Sequence, residues 1–161
     1  MAAKVLGGAP VPAFDRIAAK DGVLTIPWRE YLQRLPPMLD RCAVRLAEKT
    51  LTTQGAAIAA TDLAGSDMPE GLYRVSYYAR VTRAATTSSS LTVTVAWTDG
   101  TVAMSQAGTA ITGNAVTSYA SVTLLLWLDA NTAVNYSTAY ASVGATSMQY
   151  KLCLTLERVN A

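Results

Sequence analysis

The 161-residue sequence contains no histidine, only two cysteines and a single phenylalanine, and only 15% of its residues are charged. The absence of histidine excludes the commonest general base, the commonest neutral metal ligand, and every Ser–His or Cys–His nucleophile pair. Cys42 and Cys153 are too few to build a zinc site, and the sequence leaves open whether they form a disulfide. We therefore predict a structural or binding protein rather than an enzyme, with no metal site and no cofactor.

The charge balance and the apolar runs give no signal for two further kinds of partner. The net charge of +2 is too small to predict binding to nucleic acid or to an anionic membrane surface. No apolar run reaches the ~18 residues needed to span a bilayer, and the longest compact run, 122–128, has the length of a strand. Lys4 and the glycines and proline within 7–10 interrupt any signal-peptide core. We expect neither nucleic-acid binding nor membrane insertion.

Charged residues become scarce along the chain. The sequence has 13 basic and 11 acidic residues, of which only five follow residue 90. Serine, threonine and alanine take their place, most densely over 98–120. Two explanations stay open. The exposed strand faces of an ordinary β-domain can carry hydroxyls instead of charges, or the surface contacts further copies of the chain and so avoids the cost of burying charges.

Residues 1–27 have the features of an extended arm. Prolines and glycines interrupt every potential helix in this stretch, and each X-Pro step favours extended backbone. Its apolar groups, such as Phe14 and the tract 23–26, are too few to form a core but suffice to dock on a partner. The pattern predicts an arm that acts by attachment.

Residues 28–49 have a helical periodicity instead. The four apolar residues spaced to share one helix face are Trp28, Tyr31, Leu32 and Leu35. The Pro36-Pro37 pair ends this first helix, and a second helical stretch covers 37–49. Together with the arm, these stretches predict an N-terminal anchoring segment over 1–49 that contains short amphipathic helices.

From residue 50 onward, the hydrophobic period is two, which predicts β-strands. The alternating runs are 72–81, 91–98, 122–128, 134–140 and 148–157. The face of the first run that includes Tyr73 is the more apolar, and Asp99-Gly100 predicts the turn of a hairpin. No helical pattern separates these strands. We therefore predict a mainly β protein, in which an antiparallel jelly-roll or β-sandwich domain over 50–161 follows the arm and its short helices.

The run 122–128 is apolar on both faces, because Leu125 and Trp127 alternate with further leucines. A two-layer sandwich buries only one face of each strand, so these two side chains need a second cover. That cover is either the N-terminal helices of the same chain or another subunit, since subunit contacts are rich in aromatic residues and poor in charge. The residues we assign to a subunit contact are Leu125, Trp127, Tyr136, Tyr140 and Tyr150.

Several tracts resemble those of structural proteins in tailed-bacteriophage virions. The tracts are GLYRVSYYARVT at 71–82, SLTVTV at 90–95, WTDG at 97–100, NYSTAY at 135–140, MQY at 148–150, LTLE at 154–157 and GVLTIPWREYLQRL at 22–35. In that family, the β-tracts belong to a C-terminal trimeric jelly-roll domain of the tumour-necrosis-factor and C1q type, as in decoration, head-fibre and fibre-tip proteins. The resemblance covers about two-thirds of the chain and includes no catalytic signature.

The resemblance implies a non-enzymatic virion protein, assembled in the host cytoplasm, that forms a homotrimer and docks its arm onto capsid or tail proteins. The residues it implies as the anchor are Phe14, Trp28, Tyr31, Leu32 and Leu35. The chain has one arm, one β-domain and no repeats or heptads. It therefore fits a capsid decoration protein or a short head fibre better than a long tail fibre.

Two other functions remain alternatives. A tail-associated fibre tip would recognise host surface glycans through exposed aromatic residues, and Trp97 beside Asp99 is the nearest candidate. A glycan-cleaving enzyme would need two carboxylates that face each other across a cleft. Asp99 and Asp129 lie beside turn residues and are better explained as turn formers, so the sequence favours binding over cleavage.

Overall fold

The computed structural model describes residues 5–6, 9–10 and the continuous stretch 43–159. In the N-terminal part, β1 (Val5–Leu6) and β2 (Ala9–Pro10) pair antiparallel. The predicted first helix falls outside the described residues, as do all five anchor residues: Phe14, Trp28, Tyr31, Leu32 and Leu35. Their roles therefore stay predictions.

Residues 43–159 form nine strands and contain no helix. The strands are β3 (Val44–Gln54), β4 (Ile58–Ala64), β5 (Gly71–Arg83), β6 (Ser88–Asp99), β7 (Val102–Ala107), β8 (Ile111–Thr112), β9 (Tyr119–Leu128), β10 (Val134–Val143) and β11 (Gln149–Arg158). All pairings between these strands are antiparallel. The prediction of a mainly β, antiparallel domain is confirmed.

The predicted helix over 37–49 is wrong over its last six residues, which form the first half of β3. In this strand Ala47 pairs with Leu156 of β11, and Ala47 and Leu51 pack against the core, whereas Leu46 is exposed. A short helical periodicity is a weak determinant, because an isolated short helix is marginally stable in water. Here the ladder with β11 satisfies the same backbone groups and overrides the local pattern.

The nine strands form two sheets. One sheet has the order β3-β11-β5-β9, and the other has the order β4-β10-β6-β7, with β8 also paired to β6. Viewed along the chain, the pairs are nested: β3 with β11, β4 with β10, β5 with β9, and β6 with β7. This is the connectivity of a jelly roll, in which one long hairpin folds over into two sheets. We call the two sheets the four-stranded sheet and the five-stranded sheet.

The core lies between the two sheets, and the alternation in the sequence correctly predicts which residues line it. On β5, the buried face is the one that includes Tyr73, as its apolar pattern predicts. Full burial of a large apolar side chain such as valine or leucine contributes about 1.5–3 kcal/mol to the free energy of unfolding. The buried hydrophobic residues of the four central strands are Tyr73, Val75, Tyr77, Ala79 and Val81 of β5, Leu91, Val93 and Val95 of β6, Val134 and Tyr136 of β10, and Tyr150, Leu152, Leu154 and Leu156 of β11.

Strands β6 and β7 form the predicted hairpin. Asp99 pairs with Val102, which leaves Gly100 and Thr101 as a two-residue loop. Gly100 has a φ of 64°, a left-handed conformation that glycine adopts without steric cost and that such loops favour. The hairpin places Trp97 and Asp99 at the end of β6.

A chain of hydrogen bonds joins the two sheets at β4, β10 and β11. The Ile58 N–H donates to Thr138 Oγ1 at 2.8 Å, and the Tyr150 hydroxyl donates to the Ala56 carbonyl at 2.8 Å. Thr138 Oγ1 and the Tyr150 hydroxyl oxygen are 2.9 Å apart. Because Tyr150 gives its only proton to Ala56, Thr138 is the donor in this last bond. The hydrogen bonds therefore all point in one direction, from the Ile58 N–H through Thr138 and Tyr150 to the Ala56 carbonyl.

This hydrogen-bond chain explains why Thr138 can lie in the core. Thr138 is the only buried residue of polar or charged type among residues 43–159. It pairs with Ile58 next to a register shift between β10 and β4, and its hydroxyl oxygen accepts the hydrogen bond from the Ile58 N–H at that irregular point. A buried polar group left unpaired costs about 1–3 kcal/mol, so these hydrogen bonds stabilise the register of β4 on β10.

We expect Tyr150→Phe to lower the free energy of unfolding by about 1–3 kcal/mol, because it leaves the Thr138 hydroxyl and the Ala56 carbonyl without their partner. Urea denaturation followed by circular dichroism measures the change. Tyr119→Phe is the matched control, since Tyr119 is 61% exposed and loss of its hydroxyl should change stability by less than about 0.5 kcal/mol. Equal stability of the two variants would contradict the role of the hydrogen-bond chain.

Alkaline pH should destabilise the domain through its buried tyrosines. Burial raises the pKa of the Tyr73, Tyr77 and Tyr150 phenols above the ordinary value of 10.0, and the hydrogen bond from Thr138 offsets only part of the increase at Tyr150. Above about pH 10 the folded state therefore holds more protons than the unfolded state, so the free energy of unfolding falls as pH rises. Well below that pH the three phenols are protonated in both states, and their titration does not change the free energy of unfolding. Urea denaturation across this range, with phenolate absorbance, measures both effects. Titration of all eight tyrosines near pH 10.0 in the folded protein would refute the assignment.

Candidate functional site

Strand β9 is an unprotected edge of the four-stranded sheet. It pairs with β5, and no other strand of the described residues pairs with it. Its ten residues include no charged residue, no proline and no glycine. The opposite edge, β3, carries Arg45, Glu48 and Lys49, and in the other sheet β4 carries Asp62 while β7 has only six residues. Charges and short length are common protections of sheet edges, so β9 is the edge most open to another chain.

The two faces of β9 are both apolar, as the sequence predicts. On the inner face, Leu126 and Leu128 are buried in the core. On the outer face, Leu125 is 65% exposed and Trp127 is 42% exposed. We call Leu125 and Trp127 the β9 strip. Exposed apolar side chains of this size on an unpaired edge are typical of a contact with another subunit.

An ion pair neutralises the charge beside the β9 strip. Arg74 of β5 lies directly opposite Leu125, and its Nε donates to Glu157 Oε2 of β11 at 2.9 Å. A second contact joins Arg74 Nη2 to the same carboxylate oxygen. The guanidinium is thus held away from β9 and compensated. The strip therefore borders a neutral surface, which lowers the cost of covering it with another chain.

The structure places the three predicted interface tyrosines inside the domain. Tyr136 and Tyr150 are buried in the chain's own core, and Tyr140 is half-buried, with its hydroxyl donating to the Met148 carbonyl at 2.7 Å. The rings of Tyr140 and Tyr150 have centroids 6.0 Å apart. Strands β10 and β11 are central in their sheets, so the inner faces of these strands are enclosed by the facing sheet. We therefore confine the proposed subunit contact to the β9 strip.

The predicted ligand-contact residues lie at the end of the β6–β7 hairpin. Trp97 is half-buried and packs against the core, and it pairs with Met104 across the hairpin. Asp99 is exposed and pairs with Val102. The two residues share one face of β6, but Trp97 is partly covered by its packing against the core. A ligand would therefore meet only part of this ring.

Two outer-face residues complete the description of the four-stranded sheet. Tyr119 is 61% exposed at the start of β9. It has the same parity as Leu125 and Trp127, although it is not among the five residues predicted for the subunit contact. Cys153 is half-buried on β11, with its Sγ 3.9 Å from the Thr50 hydroxyl oxygen. Partial exposure of Cys153 agrees with its position in the alternating run. Cys42 lies outside the described residues.

Within 43–159 and the four described N-terminal residues, no three histidine, cysteine or acidic side chains are grouped so that they could hold a metal ion. The same part of the chain contains no helix of the length and apolar character needed to cross a membrane.

No protein-family model matches the chain, and no curated protein shows significant sequence similarity to it. Among solved structures, it is similar to PRD1 vertex protein P5, with 15% identity, a TM-score of 0.43, and coverage of 73% of this chain and 99% of the other. A structure described as Bacillus endospore appendages, a family of disulfide-linked pili, has 19% identity, a TM-score of 0.34, and coverage of 74% and 91%. Eiger TNF from S. frugiperda has 8% identity, a TM-score of 0.35, and coverage of 75% and 96%. At such low scores and identities, none of these likenesses assigns a function to this chain.

Proposed function

We propose that this chain is a non-enzymatic structural protein of a bacteriophage virion. In this proposal it forms a homotrimer through the β9 strip and serves as a capsid decoration or head-fibre protein. The N-terminal segment that precedes β3 attaches it to capsid or tail proteins, and the β-domain, which includes 44–49, projects outward. The observation that carries the proposal is the uncharged edge strand β9, which exposes Leu125 and Trp127.

Assembly through β9 follows from its surface chemistry. Burial of a side chain such as Leu125 contributes about 1.5–3 kcal/mol, and a repeated contact adds this contribution at every interface of a closed ring. Aromatic residues are enriched in subunit contacts and charged residues are depleted, and the β9 strip has the same bias. The trimer and the virion location rest on the tracts that resemble phage structural proteins, including 71–82 and 22–35.

We expect Leu125→Asp to convert the assembly into monomers, because a carboxylate at the contact would have to be desolvated without a partner. Light scattering after size exclusion should give about three times the chain mass of 17.0 kDa for the wild type and the single-chain mass for the variant. Val143→Asp is the matched control: Val143 is also an exposed aliphatic residue on a strand, at 58%, and its replacement should leave the trimer intact.

Circular dichroism confirms that both variants are folded before their masses are compared. A monomeric wild type, or a Leu125→Asp variant with the mass of the wild type, would refute assembly through the β9 strip. Trp127→Ala should also lower the assembly state or reduce the stability of the assembly by several kcal/mol, because the subunit contact buries this ring and truncation of a fully buried tryptophan costs about 3–5 kcal/mol.

We expect Trp28→Ala to reduce attachment to the particle without unfolding the β-domain, because Trp28 belongs to the predicted anchor and lies outside residues 43–159. A phage lacking the gene is complemented with each variant, and the copies per purified particle are counted by quantitative mass spectrometry. Gln33→Ala is the control, since Gln33 falls outside the apolar face of the predicted helix. Wild-type copy number for Trp28→Ala would contradict the anchor assignment.

A further inference from the structure

A row of side chains crosses the outer face of the four-stranded sheet at the end far from the β9 strip. Lys151 of β11 lies directly opposite Arg80 of β5, and Arg80 lies directly opposite Tyr119 of β9. Each of the three alternates with neighbours that are buried or packed against the core, so all three point outward. Tyr78 adds a second ring, with its centroid 6.0 Å from that of Tyr119 and the planes at 31°. We call these four residues the cation–tyrosine row.

The two cations of this row have no acidic partner among the described residues. The ion pairs there are Arg45–Glu48 and Arg74–Glu157, and both lie in other rows of the sheet. Arg80 and Lys151 are therefore like charges directly opposite each other, an arrangement that destabilises a sheet. An anion bound between them would remove the repulsion. The row thus favours a negatively charged ligand.

The tyrosines of the row restrict the ligand further. Tyr119 is 61% exposed and Tyr78 is half-buried beside it, so the ring of Tyr119 presents an apolar surface to solvent. A planar aromatic surface of this kind packs against the C–H face of a sugar ring or against a nucleobase. The ligand therefore combines an anionic group with a ring that has an apolar face.

We propose that the cation–tyrosine row binds an acidic polysaccharide, with a sugar carboxylate between Arg80 and Lys151 and a neighbouring ring stacked on Tyr119. A guanidinium matches a carboxylate with two parallel hydrogen bonds, and an ammonium adds a third charge-assisted bond. The row spans two inter-strand spacings, about 10 Å, which is the reach of a disaccharide. Nucleic acid is the less suitable ligand, because two cations neutralise only two phosphates and the net charge is only +2.

The row and the β9 strip can be used at the same time. Leu125 lies six positions after Tyr119 along β9, which corresponds to about 20 Å in a strand. The row of Ser76 and Thr123, whose hydroxyl oxygens are 3.1 Å apart, lies between them. A subunit contact confined to the strip would leave the row open to solvent, and binding at the row does not depend on the proposed function.

Isothermal titration calorimetry with an oligogalacturonate tests the proposal, and its methyl ester serves as the uncharged ligand of the same sugar. We expect the wild type to bind the free acid, and the methyl ester about tenfold or more weakly, since the charge-assisted hydrogen bonds are lost. Arg80→Gln should weaken binding of the free acid about tenfold for the same reason. Tyr119→Ala should weaken it by a smaller factor, because it removes only the stacking surface.

Arg45→Gln is the matched control, since it makes the same chemical change and loses the same charge on the edge strand β3. It should bind like the wild type. Light scattering separates this proposal from the trimer: Arg80→Gln should keep the mass of the wild type whatever that mass is. Failure of the wild type to bind the free acid, equal binding of the methyl ester, equal loss in Arg45→Gln, or equally tight binding of an oligothymidylate would each overturn the acidic-polysaccharide assignment.

Discussion

The core of this domain lies between two sheets, so each strand can bury only one of its faces. On β5 the buried face holds Tyr73, Val75 and Tyr77, and the outer faces meet whatever surrounds the domain. On most strands the outer face carries hydroxyls or charges. Strand β9 differs because its outer face is apolar at Leu125 and Trp127, and because no strand of the described residues pairs with its second side. The proposed assembly depends on this combination.

The same constraint divides the tyrosines into two groups with different chemistry. Those on inner faces fill the core, where burial raises the pKa of Tyr73, Tyr77 and Tyr150 and favours their neutral form. The Tyr150 hydroxyl is also needed to complete the hydrogen bonds of Thr138, so its contribution is structural. Tyrosines on the outer face can make contacts outside the chain. Among the described tyrosines, Tyr119 is the most exposed.

The outer face of the four-stranded sheet presents two surfaces of different chemistry. At one end, the β9 strip lies beside Arg74, whose charge is compensated by Glu157. At the other end, Arg80 and Lys151 have no such compensation among the described residues. A neutral apolar surface favours another protein chain, whereas uncompensated cations beside tyrosines favour an anionic ligand. One sheet can therefore carry assembly and recognition without competition between them.

The face that each residue of a strand turns to the core can be predicted from the amino-acid order, because alternation with a period of two is a local property of the chain. The amino-acid order identified the inner face of β5, the hairpin at Asp99-Gly100 and the two apolar faces of β9. It misplaced 44–49, because a local helical period cannot include the pairing of β3 with β11 from the far end of the chain.

Which strands are central and which are edges is visible only in the folded structure, since that order arises from contacts between distant segments. The fold places Tyr136 and Tyr150 in the core, whereas their pattern in the sequence predicts a subunit contact. It also brought Lys151 opposite Arg80. The alternation of apolar and polar residues indicates which face of the sheet a side chain lies on. Its neighbours on that face depend on strand order and register, which no local pattern encodes.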